Sequence, residues 1–187
     1  AQLSEYASIV ILKRAEFIET IEKFAAEIHH DISNGSENLK IKYAPNIKYE
    51  STTQENLQKE LELLFEKNLA KEMERMQTLI GPHRDDITFS INDFDVQTYG
   101  SQGQQRTTAL SVKLAELELI RQEVGEYPVL LLDDVLSELD ENRQAHLLTS
   151  IRDRVQTFVT TTSISDINHA IMNDMKTFAV EQGQVKA

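Results

Sequence analysis

The sequence contains no cysteine and no long hydrophobic run. Without cysteine the chain has neither a disulfide framework nor a thiolate metal site, which is typical of a protein kept in a reducing cytosol. Its purely apolar runs are only a few residues long, far below the roughly 20 residues that a membrane-spanning helix requires. No signal-peptide pattern opens the chain. We therefore expect a cytoplasmic protein.

Positive charge is also scarce. The chain has 19 Lys and Arg against 31 Asp and Glu, a formal net charge of -12. Extensive phosphate contacts need clustered basic residues, so this balance argues against a surface dominated by contacts to nucleic-acid phosphates. Any role on DNA must use a local patch or a segment outside this sequence. The 187 residues, 40% of them hydrophobic, suffice for one domain or a domain with an appendage.

A phosphate-binding loop is missing as well. That loop requires the pattern G-x-x-x-x-G-K-[ST], and none of the six glycines is followed by lysine. A chain that uses ATP through such a loop would therefore need residues that this sequence does not contain.

The first 80 residues read as a helical arm. Apolar spacings of three, four and seven predict a helix over residues 1–30, and a second helix follows Ser51. A turn-rich stretch and a short strand-like insert at 39–50 separate them. At 1.5 Å per residue each helix would reach roughly 35 to 40 Å. The predicted apolar faces are Leu3, Ala7, Val10, Phe17, Ile21, Phe24 and Ile28 in the first helix, and Leu57, Leu61, Leu64, Phe65, Leu69, Met73 and Met76 in the second.

Residues 81–187 read as an α/β unit. Alternating residues about Asn92-Asp93 predict a hairpin, and a helix follows from Gln104 to Val124 with Leu110, Leu114, Leu117 and Ile120 on one face. The run PVLLLDD predicts a parallel strand covered on both sides. The remaining predicted elements are a helix at 141–152, a strand at 156–162, a helix at 165–174 and a strand at 177–185.

Two carboxylates, Asp133 and Asp134, end the apolar strand. Ligands bind open α/β sheets at the carboxyl ends of their strands, so the pair suits a site for a metal ion and a nucleotide. The alternative is a strand that ends in acidic residues because it meets solvent or caps the next helix. Taken alone, the pair leaves both readings open.

The stretch SQGQQR, residues 101–106, lies between the hairpin and the long helix. Ser101 is a natural N-cap, Gly103 permits close backbone approach, and the start of a helix attracts anions. A plain capped helix start is the simpler reading of this stretch by itself. The order of the motifs favours a phosphate contact, because the helix leads into the strand with Asp133 and then into SELD at 137–140.

The series SQGQQR, VLLLDD and SELD resembles the signature motif, Walker B strand and D-loop of ATP-binding-cassette ATPases. The resemblance is to the branch that includes chromosome-maintenance proteins and Rad50. It covers residues 79–163 specifically and the flanking arm and tail by general architecture. The fold it implies is the C-terminal part of a P-loop ATPase head with parallel strands, joined to an antiparallel helical arm.

The resemblance also implies roles for individual residues. Asp133 would hold Mg²⁺ and Asp134 would act as the catalytic base, although most cassette ATPases carry Glu at that position. The strand after Walker B ends in TTTS, where many relatives have a histidine, so Thr161 or Thr162 would replace it. Asp140 would face a second subunit. The residues expected to contact ATP held by that subunit are Ser101, Gln102, Gly103 and Gln104, with Asp140 and Thr161 completing the nucleotide site.

The function implied is that of an ATP-dependent homodimer that clamps DNA. Within the branch, the stretches GPHRDD, YGSQGQQRT and LLLDDVLSELDENR are similar to the C-terminal half of a bacterial recombination protein. That protein acts at gapped or single-strand/double-strand junctions and helps RecO and RecR to place RecA. The phosphate-binding loop would then lie in an N-terminal half, whose absence would leave apolar sheet faces exposed. This chain alone would be inactive as an ATPase.

Two alternatives stay open at this point. One is the head of a different chromosome-maintenance ATPase, and the other is a helical protein-interaction module without ATP chemistry. The stretch GPHRDD adds a smaller question, because His83, Arg84, Asp85 and Asp86 would suit a metal cluster, a nucleotide contact or a charged junction. Their spacing matches no metal-ligand rule, which favours the junction.

Overall fold

The computed structural model describes residues 2–136, 139–152, 154–162 and 175–186. Helix α1 (Gln2–Ile32) and helix α2 (Gln54–Arg75) form the arm, and α1 continues past it to pack against helix α4 (Gln102–Val124). Within the described residues, no helix is both long and apolar enough to cross a membrane. The first helix therefore belongs to the arm and to the body of the protein at once.

A three-stranded antiparallel sheet lies beside α1. It consists of β1 (Leu39–Ala44), β2 (Asp86–Ile91) and β3 (Phe94–Asp95), in the order β1-β2-β3. The predicted hairpin is confirmed: Asn92 and Asp93 have φ of 51° and 68°, as a tight two-residue turn of the type I′ class requires. The pairing of β1 with β2 connects chain on both sides of α2, so it crosses the predicted domain boundary near residue 80.

The second half alternates helices and strands as predicted. A short helix α3 (Val96–Tyr99) precedes α4, and the parallel strands β4 (Leu130–Asp133) and β5 (Thr157–Thr160) flank helix α5 (Glu141–Ile151). The single strand predicted at 177–185 is wrong. It is a hairpin of β6 (Ala179–Glu181) and β7 (Gln184–Lys186), because Gln182 and Gly183 both adopt positive φ and reverse the chain. The helix predicted at 165–174 lies outside the described residues.

Three apolar clusters form the core. One lies between α4, α5 and β4 near the end of α1, the second joins α1 to the β1–β2 sheet and α4, and the third joins α1 to α2. All three include residues of α1 or pack against it. This helix is therefore the element around which the described parts of the chain are organised.

The buried stripe of α1 differs from the predicted face. Leu3 and Phe17 are 59% and 46% exposed. The serines at the start of the stripe were overlooked because they are polar, yet the Ser8 hydroxyl donates to the carbonyl of Glu5 within its own helix. The buried residues are Ser4, Ala7, Ser8, Ile11, Ile18, Ile21, Ala25, His29 and Ile32.

The far half of α2 is more exposed than predicted. Leu57 and Leu61 are fully buried against α1, but Leu69, Met73 and Met76 project into solvent. Ile120 on α4 is likewise partly exposed, at 38%. The apolar face of α2 is longer than the part of it that α1 covers. The spacing of apolar residues predicts which face of a helix is apolar, but not how far along the helix that face is covered.

Candidate functional site

The amino terminus of α4 is capped as the sequence predicts. Ser101 Oγ accepts a hydrogen bond from the Gln104 N–H at 3.2 Å, and Gln104 Oε1 accepts from the Ser101 N–H at 2.9 Å. This reciprocal capping box satisfies two backbone donors and orients the first turn. The N–H groups of Gln102 and Gly103 donate to no atom of the described residues. Two donors and the positive end of the helix dipole thus remain available to an anion.

Arg143 lies directly against this helix start. A Cβ atom placed on Gly103 would come within 2.7 Å of Nη1 of Arg143, so glycine provides the room for the guanidinium. Arg143 is held from its own side by Asp140, whose Oδ1 accepts from the Arg143 N–H at 3.1 Å. Nε of Arg143 and Oδ2 of Asp140 are 3.4 Å apart. The predicted signature and D-loop residues, Gly103 and Asp140, therefore meet through one side chain.

Sequence reasoning missed Arg143. The available signal was the spacing of three residues between Asp140 and Arg143 at the start of a helix, which places a cation beside an N-cap carboxylate. Gln144 stabilises the segment between β4 and α5 that contains Asp140. Its buried amide donates to the carbonyl oxygens of Leu136 at 2.8 Å and Leu139 at 3.1 Å. Positions 137 and 138 of SELD lie outside the described residues.

The carboxyl edge of the β4–β5 sheet holds the paired carboxylates. Asp133 and Thr160 are partners in the parallel register, and Thr160 Oγ1 donates to Asp133 Oδ1 at 2.5 Å. The same hydroxyl accepts from the Asp134 N–H at 3.0 Å. Asp134 has a positive φ of 52°, a conformation more accessible to Asp than to most residues. One threonine thus joins both predicted acidic residues.

Thr160 is a second residue that sequence reasoning missed. Thr160 is the register partner of Asp133 and shares its face of the sheet, whereas the prediction of Thr161 or Thr162 concerned the place of a histidine at the end of this strand. Thr161 is half-buried and its predicted nucleotide contact stays a prediction. The alternation of TFVTTT was the signal that distinguishes the two threonines.

The exposed Asp133 carboxylate fits a magnesium ion better than a structural metal. Mg²⁺ is commonly held by one or two carboxylates together with substrate phosphates and water. Within the described ranges no group of three or more His, Asp or Glu side chains is close enough to hold an ion without a substrate. Asp133 and its Thr160 partner are therefore the residues suited to a metal that arrives with a nucleotide.

The GPHRDD stretch makes the bonds of a structural junction. His83 Nε2 and the Arg84 guanidinium contact the carbonyl oxygen of Thr78, just after α2. Asp85 accepts hydrogen bonds from the Tyr43 hydroxyl on β1 and from the Asn46 N–H. Burial raises the pKa of Tyr43 and the neighbouring Asp85 carboxylate raises it further, so the phenol stays neutral and donates. The Arg14 guanidinium on α1 donates to the carbonyl oxygen of Pro82, so the stretch contacts both the arm and the sheet.

An apolar face next to the carboxylates is uncovered. Val129, Leu131 and Phe158 are 54%, 72% and 55% exposed, and Leu131 and Phe158 are register partners on neighbouring strands. The prediction that β4 is covered on both sides is therefore wrong for the described residues. Helices α4 and α5 pack on the face of β4 that carries Leu132, and the face that carries Leu131 is exposed. The expectation that an apolar sheet face would stand open is confirmed.

Comparison with known proteins identifies close relatives over nearly the whole chain. The chain is 56% identical to "DNA replication and repair protein RecF" of Macrococcus caseolyticus over 184 residues. It is 54% identical to the proteins of that name from Staphylococcus carnosus and Staphylococcus aureus over 185 residues. Each match covers 98% of this chain and 50% of the relative, so the chain spans about half the length of the curated relatives it matches. No protein-family model matches the chain.

Solved structures agree with the sequence relatives. The fold matches the recombination mediator protein RecF-ATPrS in the RecFOR pathway with a TM-score of 0.82 and 36% identity, over 98% of this chain and 47% of that one. It matches RecF-ATP in the same pathway with a TM-score of 0.76 and 39% identity, over 89% of this chain and 44% of that one. Both structures are similar in sequence as well as in fold.

Proposed function

The chain has the sequence and the fold of the C-terminal half of a RecF protein, and we propose that it supplies the signature helix and the Walker B strand of an ATP-dependent, dimerising DNA-repair ATPase. The observation that carries the proposal is the contact of Arg143 with both Gly103 and Asp140. Signature and D-loop residues lie side by side at an exposed helix start, as a site completed by a second subunit requires.

The helix start would bind the γ-phosphate of ATP held by the second subunit. Ser101 and Gln104 support the first turn, and the N–H groups of Gln102 and Gly103, at the first two positions of the helix, would donate to the phosphate. Arg143 adds positive charge beside Gly103. Backbone donors with a fixed orientation stabilise phosphate charge without reorganising during the reaction.

The sheet edge would serve the nucleotide of its own subunit. Asp133 would hold Mg²⁺, which when bound neutralises phosphate charge, and Thr160 fixes the direction of that carboxylate through its hydrogen bond. Asp134 would accept the proton of the attacking water, and the Thr160 hydroxyl holds its backbone in place. Thr161 would lie close to the same phosphate from the end of β5, and Asp140 would face the partner subunit.

The partners proposed for the whole protein are gapped or junction DNA, RecO, RecR and RecA. The two RecF structures belong to the RecFOR pathway, which supports a role alongside RecO and RecR. The net charge of -12 argues that most phosphate contacts to DNA are made outside this chain.

Replacing Ser101 with arginine tests the signature helix in a protein of the relatives' full length that carries this sequence. Ser101→Arg should leave ATP binding by one subunit nearly intact but prevent ATP-driven dimerisation, because the side chain would fill the phosphate position and remove the cap. Gln122→Arg, on an exposed turn near the other end of α4, is the matched control. Light scattering with and without ATP measures both. A Ser101→Arg protein that still dimerises normally with ATP would show that SQGQQR is a capped helix start without a role in the nucleotide site.

Asp134→Asn tests the catalytic carboxylate in the same protein. It removes a base but leaves Asp133, so dimerisation with ATP should persist while hydrolysis slows by about a hundredfold or more. Asp31→Asn, on the exposed end of α1, is the charge-matched control. Unchanged turnover of Asp134→Asn would show that the base has been misassigned.

The chain by itself should not bind ATP tightly, because it lacks the lysine and backbone cradle of a phosphate-binding loop. Isothermal titration of this chain with Mg²⁺-ATP checks this expectation. Micromolar binding would contradict it and would mean that the described elements hold the nucleotide without a second half.

A further inference from the structure

A buried hydrogen-bonded relay leads from the signature helix into the core. Gln104 Nε2 donates to Glu37 Oε1 at 3.0 Å, and His29 Nε2 donates to Glu37 Oε2 at 2.8 Å. The side chain of His29 is 0% exposed and that of Glu37 is 14% exposed. We name His29, Glu37 and Gln104 the His29–Glu37 relay. It joins α1, the loop after α1 and the first turn of α4.

Burial favours the neutral form of the relay histidine. Burial lowers its pKa below the ordinary value, the Glu37 carboxylate opposes that shift, and the nearby charge of Arg143 adds to it. Glu37 can only accept, so Nε2 of His29 carries the proton that it donates. Nδ1 lies 3.2 Å from the Ser111 hydroxyl, whose own proton is donated to the carbonyl oxygen of Thr107 at 2.8 Å.

Glu37 is itself fixed by the loop that carries it. Its N–H donates to the Ser33 hydroxyl at 3.3 Å, within the turn that ends α1. Both carboxylate oxygens then have a donor from a different helix, one from α1 and one from α4. A short polar loop thus presents a nearly buried carboxylate at a defined position beneath the start of α4.

The relay decides which way the Gln104 amide points. The oxygen of that amide must face the Ser101 N–H for the capping box to form, and its NH₂ group then faces Glu37. A flipped amide would set a donor against the Ser101 N–H and an oxygen against the carboxylate, which is unfavourable on both sides. Because a carboxylate accepts and does not donate, Glu37 excludes the flipped state.

We propose that Glu37 and His29 are positioning residues for the nucleotide site at the amino terminus of α4: by holding the Gln104 amide in one orientation, they fix the Ser101 cap in the conformation that meets the γ-phosphate. The functional part of this inference rests on the function proposed above. The structural part concerns Ser101 and Gln104 alone and is measured separately.

Three variants test the relay. Glu37→Ala removes the acceptor. Glu37→Gln keeps an oxygen for Gln104 and offers its NH₂ to Nε2 of His29, whose proton then moves to Nδ1, so it should restore function. Glu19→Ala, which removes an exposed carboxylate paired with Lys23 on α1, is the control for a lost charge.

Two readouts are needed. Amide hydrogen exchange measured by NMR on this chain should be about tenfold faster at the Ser101 and Gln104 N–H groups in Glu37→Ala. A change of that size is expected when one N-cap is lost. In the full-length protein, the ATP concentration for half-maximal dimerisation should rise by about tenfold for the same variant. Glu37→Gln and Glu19→Ala should resemble the parent protein in both.

The results separate the two proposals. Unchanged exchange at Ser101 and Gln104 in Glu37→Ala overturns the relay. If Glu37→Ala speeds exchange but leaves ATP-driven dimerisation unchanged, while Ser101→Arg prevents dimerisation, the relay has no role in the nucleotide site. If ATP drives no dimerisation even in the parent protein, the proposed function fails, and the exchange rates alone then confirm or reject the relay as the support of the α4 cap.

Discussion

The amino terminus of α4 and the carboxyl edge of the β4–β5 sheet carry the two parts of the proposed nucleotide chemistry, but they differ in how they are supported. Ser101 is capped, Gln104 is held from the core by Glu37, and Arg143 packs over Gly103. At the sheet edge, the Thr160 hydroxyl donates to Asp133, and the adjoining face exposes Leu131 and Phe158.

The difference shows which part of the site this chain organises internally. The helix start draws on α1, α4 and α5 for its support, so its geometry is set by contacts within the described residues. The sheet edge depends on two strands and leaves an apolar surface uncovered, which is the kind of surface that a further segment of protein covers. The predictions below test this contrast, from the largest expected effect to the smallest.

Adjacent leucines on β4 offer the sharpest comparison. Leu132 is 6% exposed and Leu131 is 72% exposed. Leu132→Ala should therefore lower the free energy of unfolding of this chain by about 2 to 5 kcal/mol, whereas Leu131→Ala should cost less than about 1 kcal/mol. Urea unfolding measures both. Equal losses would mean that the outer face of β4 is covered in solution, and a larger cost of Leu131→Ala in the full-length protein would show that its other half provides the cover.

The relay histidine should make stability depend on pH. Because its folded pKa lies below 6.5, the unfolded chain binds the proton first, so stability is complete above that pH and falls as pH drops below it. The slope from this residue is at most about 1.4 kcal/mol per pH unit. Glu37, Arg143, Ser111 and Thr107 are the groups that face the ring.

Denaturant unfolding between pH 7.5 and 5.5 checks this dependence. His29→Gln should flatten the curve over that range, and His30→Gln, at an exposed neighbouring position, should leave it unchanged. A parent protein whose stability is level from pH 7.5 to 5.5 would contradict a neutral His29.

Removing the cap hydroxyl should have a smaller effect. Ser101→Ala loses the bond to the Gln104 N–H and should destabilise this chain by about 1 kcal/mol. Thermal and urea unfolding measure the loss, with Thr53→Ala as the control, because Thr53 is the exposed N-cap of α2 and its side chain makes no cap hydrogen bond. If Ser101→Ala leaves the free energy of unfolding unchanged, the His29–Glu37 relay supports the start of α4 without the Ser101 hydroxyl.

The smallest effect is expected at the open edge. Thr160→Val keeps the shape but removes the bonds to Asp133 and to the Asp134 N–H, both exposed, and should cost about 0.5 kcal/mol in unfolding free energy. In the full-length protein, hydrolysis should fall more than this stability loss explains, because the carboxylates would lose their orientation. If Thr160→Val lowers the free energy of unfolding of this chain as much as Leu132→Ala does, the carboxyl edge of the β4–β5 sheet contributes more to stability than we infer from its exposure.

The features predicted correctly are those that depend on neighbours in sequence. The Asn92-Asp93 turn and the Ser101 cap each rely on bonds spanning two or three residues, so residue type and spacing specify them. The order of α4, β4, α5 and β5 followed from apolar periodicity for the same reason. We predicted that an apolar sheet face would be exposed, but not that it would be the face of β4 that carries Leu131. A run of four aliphatic residues has the same pattern whether one face of the strand or both faces are covered.

The amino-acid sequence by itself determined most of the helices and strands, the cap, the paired carboxylates and the family resemblance, since each is specified by local patterns of residue type. Only the tertiary structure decided that Arg143 lies over Gly103, that Thr160 contacts Asp133, and that Glu37 joins His29 to Gln104. Glu37 and Gln104 are 67 residues apart, and Thr160 and Asp133 are 27 apart. Contacts at such separations depend on how helices and strands pack, which no short pattern of residues encodes.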